Sequence, residues 1–341
     1  MRMPRTWDCG SKHIAVPLQC QTNAKNYESK RIVFFLSAIA LTSCNSNDDG
    51  VSAGIEIPGI TITNDIDCCT AEQALQAYKF LETVKIIPTL TTEVDRKYNV
   101  YAYTRTGKFH IGYNEVFFVA TKKSSNNYIK DFSITGLTPL MLMTKMKMEH
   151  STPVSGSAEV FNDNFPAIKR AWVSFIMSSG ESGSWTLSYH VDVLGGKGDV
   201  NKAGITVDAL PDGQAWLKSF KVGDDTYFLS LANASDWKTG SNVIRAYISK
   251  KSTPITTPYA LAEESFTVDI DPRMPDMGNH TSPDNRPLTP QADGSYQGTI
   301  NLTMTGLWRI HLTIRDAQGH VVAGGDNQSS GYSSLFWDVT I

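Results

Sequence analysis

From residue 91 onward the chain alternates. Tyr296, Gly298, Ile300, Leu302 and Met304 share one parity, with Gln297, Thr299, Asn301 and Thr303 on the other, and Trp308, Ile310, Leu312 and Ile314 repeat the pattern. A period of two with one apolar and one polar set belongs to antiparallel strands laid on a core with their other face wet. Clusters of Gly, Asn and Asp break these runs, as turns between strands do. One stretch has a different period: Ala71, Leu75, Tyr78 and Leu81, then Val84, recur at helical spacing. Thr70 and Gln73 in front of them form a capping box, in which hydroxyl and carboxamide satisfy each other's backbone N–H groups. Pro88 is the stop signal. The expected fold is therefore mainly β. Two tandem immunoglobulin-like antiparallel β-sandwich domains follow a signal peptide, a polar tether and one short helix.

The tandem arrangement rests on an internal repeat. Gly112-Tyr-Asn114 opens a strand that closes on Lys122-Lys123-Ser124, and Gly240-Ser-Asn242 opens one that closes on Lys250-Lys251-Ser252. His150-Ser-Thr-Pro153 is answered by His280-Thr-Ser-Pro283, and Gly183-Ser-Trp185 by Gly306-Leu-Trp308. The landmarks keep their order while the intervals drift, as duplication with loop changes produces. Residues 91–211 and 212–341 are the expected copies.

The N-terminal quarter changes the setting. Residues 32–41 (IVFFLSAIAL) are an apolar run behind Lys25, Lys30 and Arg31, too short to span a bilayer and matching a signal peptide. Leu41-Thr-Ser-Cys44 resembles the bacterial lipobox, and the polar run 45–50 behind it reads as a tether. Residues 25–44 are thus expected to be a lipoprotein signal with Cys44 as the lipid-attachment site, and 45–90 tether plus helix. Residues 1–24 fit neither and read as a mis-assigned extension. The expected location is the cell envelope, with the protein anchored by lipid to the outer membrane. Of five cysteines, only Cys68 and Cys69 would remain free of lipid after cleavage, so no disulfide framework supports the core. With 31 basic against 34 acidic residues and no basic stripe, nucleic acid is not an expected partner. Gly195-Gly-Lys-Gly198 precedes Asp199 and is no phosphate loop. No nucleophile elbow or zinc-protease signature stands in credible context, so the expectation is a protein that is not an enzyme.

Methionine carries the candidate chemistry. Of ten, Met1 and Met3 precede the signal; the other eight are Met141, Met143, Met146, Met148, Met177, Met274, Met277 and Met304. All lie just before the His-containing landmark or just before the Gly-x-Trp one. If residues 146–150 are extended, Met146, Met148 and His150 share a face. If the Pro-containing segment 274–280 is polyproline-like, Met274, Met277 and His280 share a side. Two thioethers and an imidazole form a soft set that selects Cu(I) over oxygen-seeking cations. Met177 and Met304 run in phase with apolar neighbours and suit core packing, with ligation as the alternative. Met141 and Met143 lie on the opposite parity and suit packing. Cys68 and Cys69 read as plain thiols or an adjacent pair before a soft-metal site, and His110, His190, His311 and His320 as surface residues.

The run Met274-Pro-Asp-Met277-Gly-Asn-His280-Thr-Ser-Pro283, with Asp293-Gly-Ser-Tyr296 and Met304-Thr-Gly-Leu-Trp308, resembles the YtkA-like/FixH-like family of extracytoplasmic domains. The resemblance covers about residues 240–320 and is weaker over 112–192. It implies an immunoglobulin-like sandwich and an association with copper or with assembly of copper oxidases. The reading is a lipoprotein binding Cu(I), for tolerance or for delivery to a copper-receiving or copper-exporting partner. The rival is a cell-surface module for glycan or protein, with Trp172, Trp216, Trp237 or Trp337 as contact residues.

Overall fold

The capping box at Thr70 forms as the sequence requires: Thr70 N–H donates to Gln73 Oε1 at 3.0 Å, and Gln73 N–H to Thr70 Oγ1 at 3.2 Å. The computed structural model describes residues 56–58, 60–61, 70–211, 214–325 and 331–341. The helix, α1, spans Ala71–Leu81 and ends seven residues before Pro88. Its Ala74 and Ala77 are buried, and Phe80 meets Phe117 edge-on with ring centroids 4.9 Å apart.

The main strands of the first sandwich are β1 (Tyr98–Thr104), β2 (Gly112–Lys122), β3 (Phe132–Met143), β4 (Met148–His150), β5 (Glu159–Val160), β6 (Ile168–Phe175), β7 (Gly183–Val193) and β8 (Gly196–Ile205), with shorter strands beside them. One sheet has the order β5-β6-β2-β1, the other β4-β3-β7-β8, and every pairing along these two paths is antiparallel. Successive hairpins alternate between the sheets, which is the immunoglobulin-like order of strands. Inward residues such as Val100, Val116, Phe118, Val173, Trp185 and Tyr189 form one core. The β1–β2–β6 sheet is covered on its outer face as well, because α1 lies against Phe117, Val119 and Ile168. That double cover explains why β2 reads as a nearly continuous apolar run, Val116–Ala120.

The second sandwich repeats the plan. Its main strands are β9 (Leu217–Val222), β10 (Asp225–Leu231), β11 (Gly240–Lys250), β12 (Thr267–Met274), β13 (His280–Thr281), β14 (Arg286–Pro290), β15 (Tyr296–Leu302), β16 (Leu307–Arg315) and β17 (Phe336–Thr340), with the short strand Val321–Ala323 also paired to β16. One sheet runs β9-β10-β11-β15-β14 and the other β13-β12-β16-β17. A pairing of Val268 with Leu288 joins the two at one edge. Its core is separate, built on Ile244, Ile248, Leu302, Trp308, Ile310 and Trp337.

The repeat landmarks are bonding patterns. Gly112 and Gly240 have φ of +86° and +100°, where a side chain is strained, and each starts a strand after a sharp turn. Two residues on, Asn114 bonds the His110 backbone twice and the Gly112 carbonyl once; Asn242 does the same to Lys238 and Gly240. The hydroxyl of Thr152 donates to the Ser174 carbonyl, and that of Ser282 to the Asn301 carbonyl. Trp185 Nε1 donates to the Met177 carbonyl and Trp308 Nε1 to the Met304 carbonyl, both at 2.9 Å. Each landmark therefore seals a backbone group that burial would leave unpaired.

Between the sandwiches three rings stack. Tyr247 lies 4.7 Å from Trp172 at 25° and 5.6 Å from Tyr113 at 4°. Beside them the strand of chain after His150 is tied to the second sandwich, with Ser151 N–H donating to the Ile255 carbonyl at 2.7 Å and Tyr259 N–H to the Thr152 carbonyl at 3.2 Å.

Candidate methionine site

The methionines fall on hairpins, and hairpins decide which of them meet. After Met143 the chain turns through residues 144–147, with Lys147 at φ +49° and its N–H donating to the Met143 carbonyl at 2.9 Å. It returns as β4, which places Met148 opposite Met143 and His150 opposite Met141. Residues opposite each other on antiparallel strands share a face. This corrects the expectation for the segment. Only Met148–His150 is extended, Met146 belongs to the turn, and Met141 and Met143 lie on the same face as Met148 and His150.

Depth then separates them. Met141 is fully buried beside Trp185, its partner across β3 and β7. His150 is 7% exposed, its ring edge-on to Trp185 at 5.4 Å and its Nδ1 2.8 Å from the Ser151 carbonyl. Nδ1 donates to that carbonyl, and Trp185 closes one side of the ring. Met148, 47% exposed, sits at the rim.

Met143 and Met146 face the loop that precedes β7. Together with Met177 from that loop they line one cavity of about 250 Å³, closed by Lys145, Glu181 and Ser182. The loop is held to the hairpin by Thr144 N–H donating to the Ser182 carbonyl at 3.1 Å. Met177 is fixed through its own carbonyl, which accepts from Trp185 Nε1. Three methionines lining one cavity are a composition that suits a soft monovalent cation, and Glu181 is the one carboxylate among the described lining residues. Parity along an assumed continuous strand hid Met143. The signal for it was the polar run Thr144-Lys-Met-Lys147 between two methionines, which is a hairpin loop by composition.

The second copy is arranged differently. Residues 274–280 are not polyproline-like: β12 ends at Met274, a 3-10 turn covers Pro275–Met277, Gly278 takes φ +64°, and β13 begins at His280. Met274 stands opposite His280, yet it is 5% exposed within the core, while Met277 is 56% exposed and His280 is exposed. Met304 packs against the same core. Met274 and Met277 thus face different environments, and the equal spacing of three does not bring them together. Among the described residues no group of three or more His, Cys, Asp or Glu side chains is placed to hold a metal ion. Cys44, Cys68 and Cys69 lie outside the described residues.

Three of the four tryptophans named as surface contacts are interior. Trp172 lies in the inter-sandwich stack; Trp237 and Trp337 are buried, and Trp216 is half-buried with Nε1 donating to the Asp338 carbonyl at 2.7 Å. Indole N–H groups pulled inward by carbonyl partners explain Trp216, and Trp237 is held likewise by the Val243 carbonyl. None forms an exposed aromatic strip. Among the described residues no helix is long and apolar enough to cross a membrane.

No protein-family model and no characterised protein matches the chain in sequence. Among solved structures, the chain is similar to a conserved domain protein from Bacillus anthracis, at 10% identity and a TM-score of 0.27, covering 76% of this chain and 91% of that one. It is also similar to invasin, a bacterial integrin-binding protein, at 10% identity and a TM-score of 0.19, covering 76% of this chain and 59% of that one.

Proposed function

We propose that the protein is an exported lipoprotein, anchored through Cys44, that binds Cu(I) at the Met143–Met146–Met177 cavity of its first sandwich for tolerance or delivery to a partner. The observation that carries this reading is that three methionines, from the end of β3, the turn after it and the loop before β7, line one cavity of about 250 Å³. Thioethers need no deprotonation and are not lost to disulfides, which suits an oxidising envelope compartment, and they favour Cu(I) over Zn²⁺ or Ca²⁺. The site is half open and made of a turn and a loop, so a metal could be passed on without unfolding a core. The resemblance to YtkA-like/FixH-like domains supports the same chemistry, although the second copy, where that resemblance is stronger, has the poorer donor set.

The test is a Cu(I) titration under reducing, anaerobic conditions against a chromogenic Cu(I) chelator. Met-to-Leu substitutions keep volume nearly constant and cost under about 1.5 kcal/mol each, so ligation can be removed without emptying the cavity. The variant M143L/M146L/M177L is expected to lose binding, and M274L/M277L to retain it. A triple variant that stays folded and competes for copper as well as the parent overturns the reading.

A further inference from the structure

A second cavity, independent of the metal reading, lies on the opposite side of the first sandwich's outer sheet. Its floor is the part of β1 and β2 that α1 leaves uncovered. Val100 and Ala102 of β1 point into the core, so Tyr101 and Tyr103 point outward, and register places them beside Val119 and Phe117. Thr121 follows on β2, paired with Tyr128 of the short strand Tyr128–Ile129. The last turn of α1 supplies Tyr78, with Glu82 at its end. These side chains line a cavity of about 380 Å³. That is within the ~300–1,000 Å³ typical of small-ligand sites.

Its chemistry is specific. Four tyrosines face one space, and no Lys or Arg is among the described residues that line it. Burial, then the neighbouring Tyr101, pushes the Tyr103 phenol up to about 12, and burial, then Tyr103 and Tyr78, pushes the Tyr128 phenol up further. Both stay protonated and can donate as well as accept. The Thr121 side chain is 6% exposed and its hydroxyl has no hydrogen-bond partner. A buried hydroxyl left unpaired is destabilising, and a ligand that reaches it recovers that cost. The cavity therefore asks for an uncharged molecule with flat apolar faces to lie on tyrosine rings and many hydroxyls around its edge.

We propose that this cavity is a binding site for a neutral sugar unit of a surface or envelope glycan. The pyranose ring would lie against Tyr101 and Tyr103, with its hydroxyls bonded to Thr121, Tyr128 and Asn126 and to the Glu82 carboxylate at the rim. A phosphate or sulfate is disfavoured by Glu82 and by the lack of a cation. The site differs from the tryptophan surface that the sequence suggested, and the pattern Tyr101-Ala-Tyr103 was its available signal: an aromatic face alternating with a small aliphatic one.

The full chain, probed on a printed array of defined neutral and charged glycans, is expected to retain at least one neutral glycan. Titration of that glycan in solution should be weakened at least tenfold by Tyr101→Ala and by Thr121→Val, while M143L/M146L/M177L leaves it unchanged. Thr121→Val preserves shape and Tyr101 is a surface residue of its strand, so circular dichroism should match the parent. Retention of no glycan, retention of sulfated or uronic glycans alone, or unchanged titration by both variants overturns the proposal.

Discussion

Replacing Tyr247 by alanine removes the ring on which the two sandwiches meet. The ring is 3% exposed and stacks on Trp172 at 4.7 Å and Tyr113 at 5.6 Å, both from the other sandwich. An aromatic-to-alanine change at a buried site costs about 3–5 kcal/mol, and each stacked pair holds about 0.5–1.5 kcal/mol of that beyond its buried area. Tyr247 belongs to neither of the two main cores. The loss therefore falls mainly on the coupling between the sandwiches. Differential scanning calorimetry reads this directly. The parent should unfold in one transition with calorimetric and van't Hoff enthalpies in agreement. Y247A should show a midpoint lower by roughly 2–4 °C per kcal/mol lost, on the order of 10 °C, with a van't Hoff enthalpy below the calorimetric one as the halves separate. Y247F, which keeps the ring, should stay within a few degrees of the parent. A single transition for Y247A at the parent's midpoint would refute the idea that this stack joins the two halves.

Three further outcomes are expected. Thr70→Ala removes the capping hydroxyl of α1 and should cost about 1 kcal/mol, seen as faster amide exchange in residues 71–77 than in the strands. Gly112→Ala should be far more damaging than Gly240→Ala in urea unfolding. Both have positive φ, but a Cβ on Gly112 would fall on the Ala215 carbonyl oxygen, whereas Gly240 faces open space. Strain alone is worth about 1 kcal/mol. Cys44→Ala should abolish labelling with radioactive fatty acid and release the protein from membranes; membrane-bound, normally processed protein would count against the anchor.

Legibility varied with how local the cause was. The capping box, the Gly-x-Asn turns and the Trp core strands were readable because each is a short-range arrangement whose residue types are dictated by one backbone group. The alternation in β15 and β16 was readable because a period of two needs no knowledge of partners. The methionine site was only half legible. Met146 and Met177 were visible as candidates, but the partner of Met146 depended on whether residues 144–147 run straight or reverse, and a left-handed Lys147 is not announced by its type. The tyrosine cavity was legible only as the alternation Tyr101-Ala-Tyr103, for a related reason. Tyr78 and Tyr101 come from elements whose docking depends on how far α1 reaches along the sheet. Tryptophan misled because a large ring with a buried carbonyl for its N–H is as well suited to the interior as to a binding face.

The central claim is that three methionine sulfurs of the first sandwich hold copper. Copper K-edge absorption of the Cu(I)-loaded mature chain, with Cys68 and Cys69 replaced by serine to remove the free thiolates, counts the scatterers directly. The account predicts a first shell of sulfur alone, three atoms within error, which disappears in M143L/M146L/M177L. A first shell dominated by nitrogen or oxygen, or an unchanged sulfur shell in the triple variant, would contradict it.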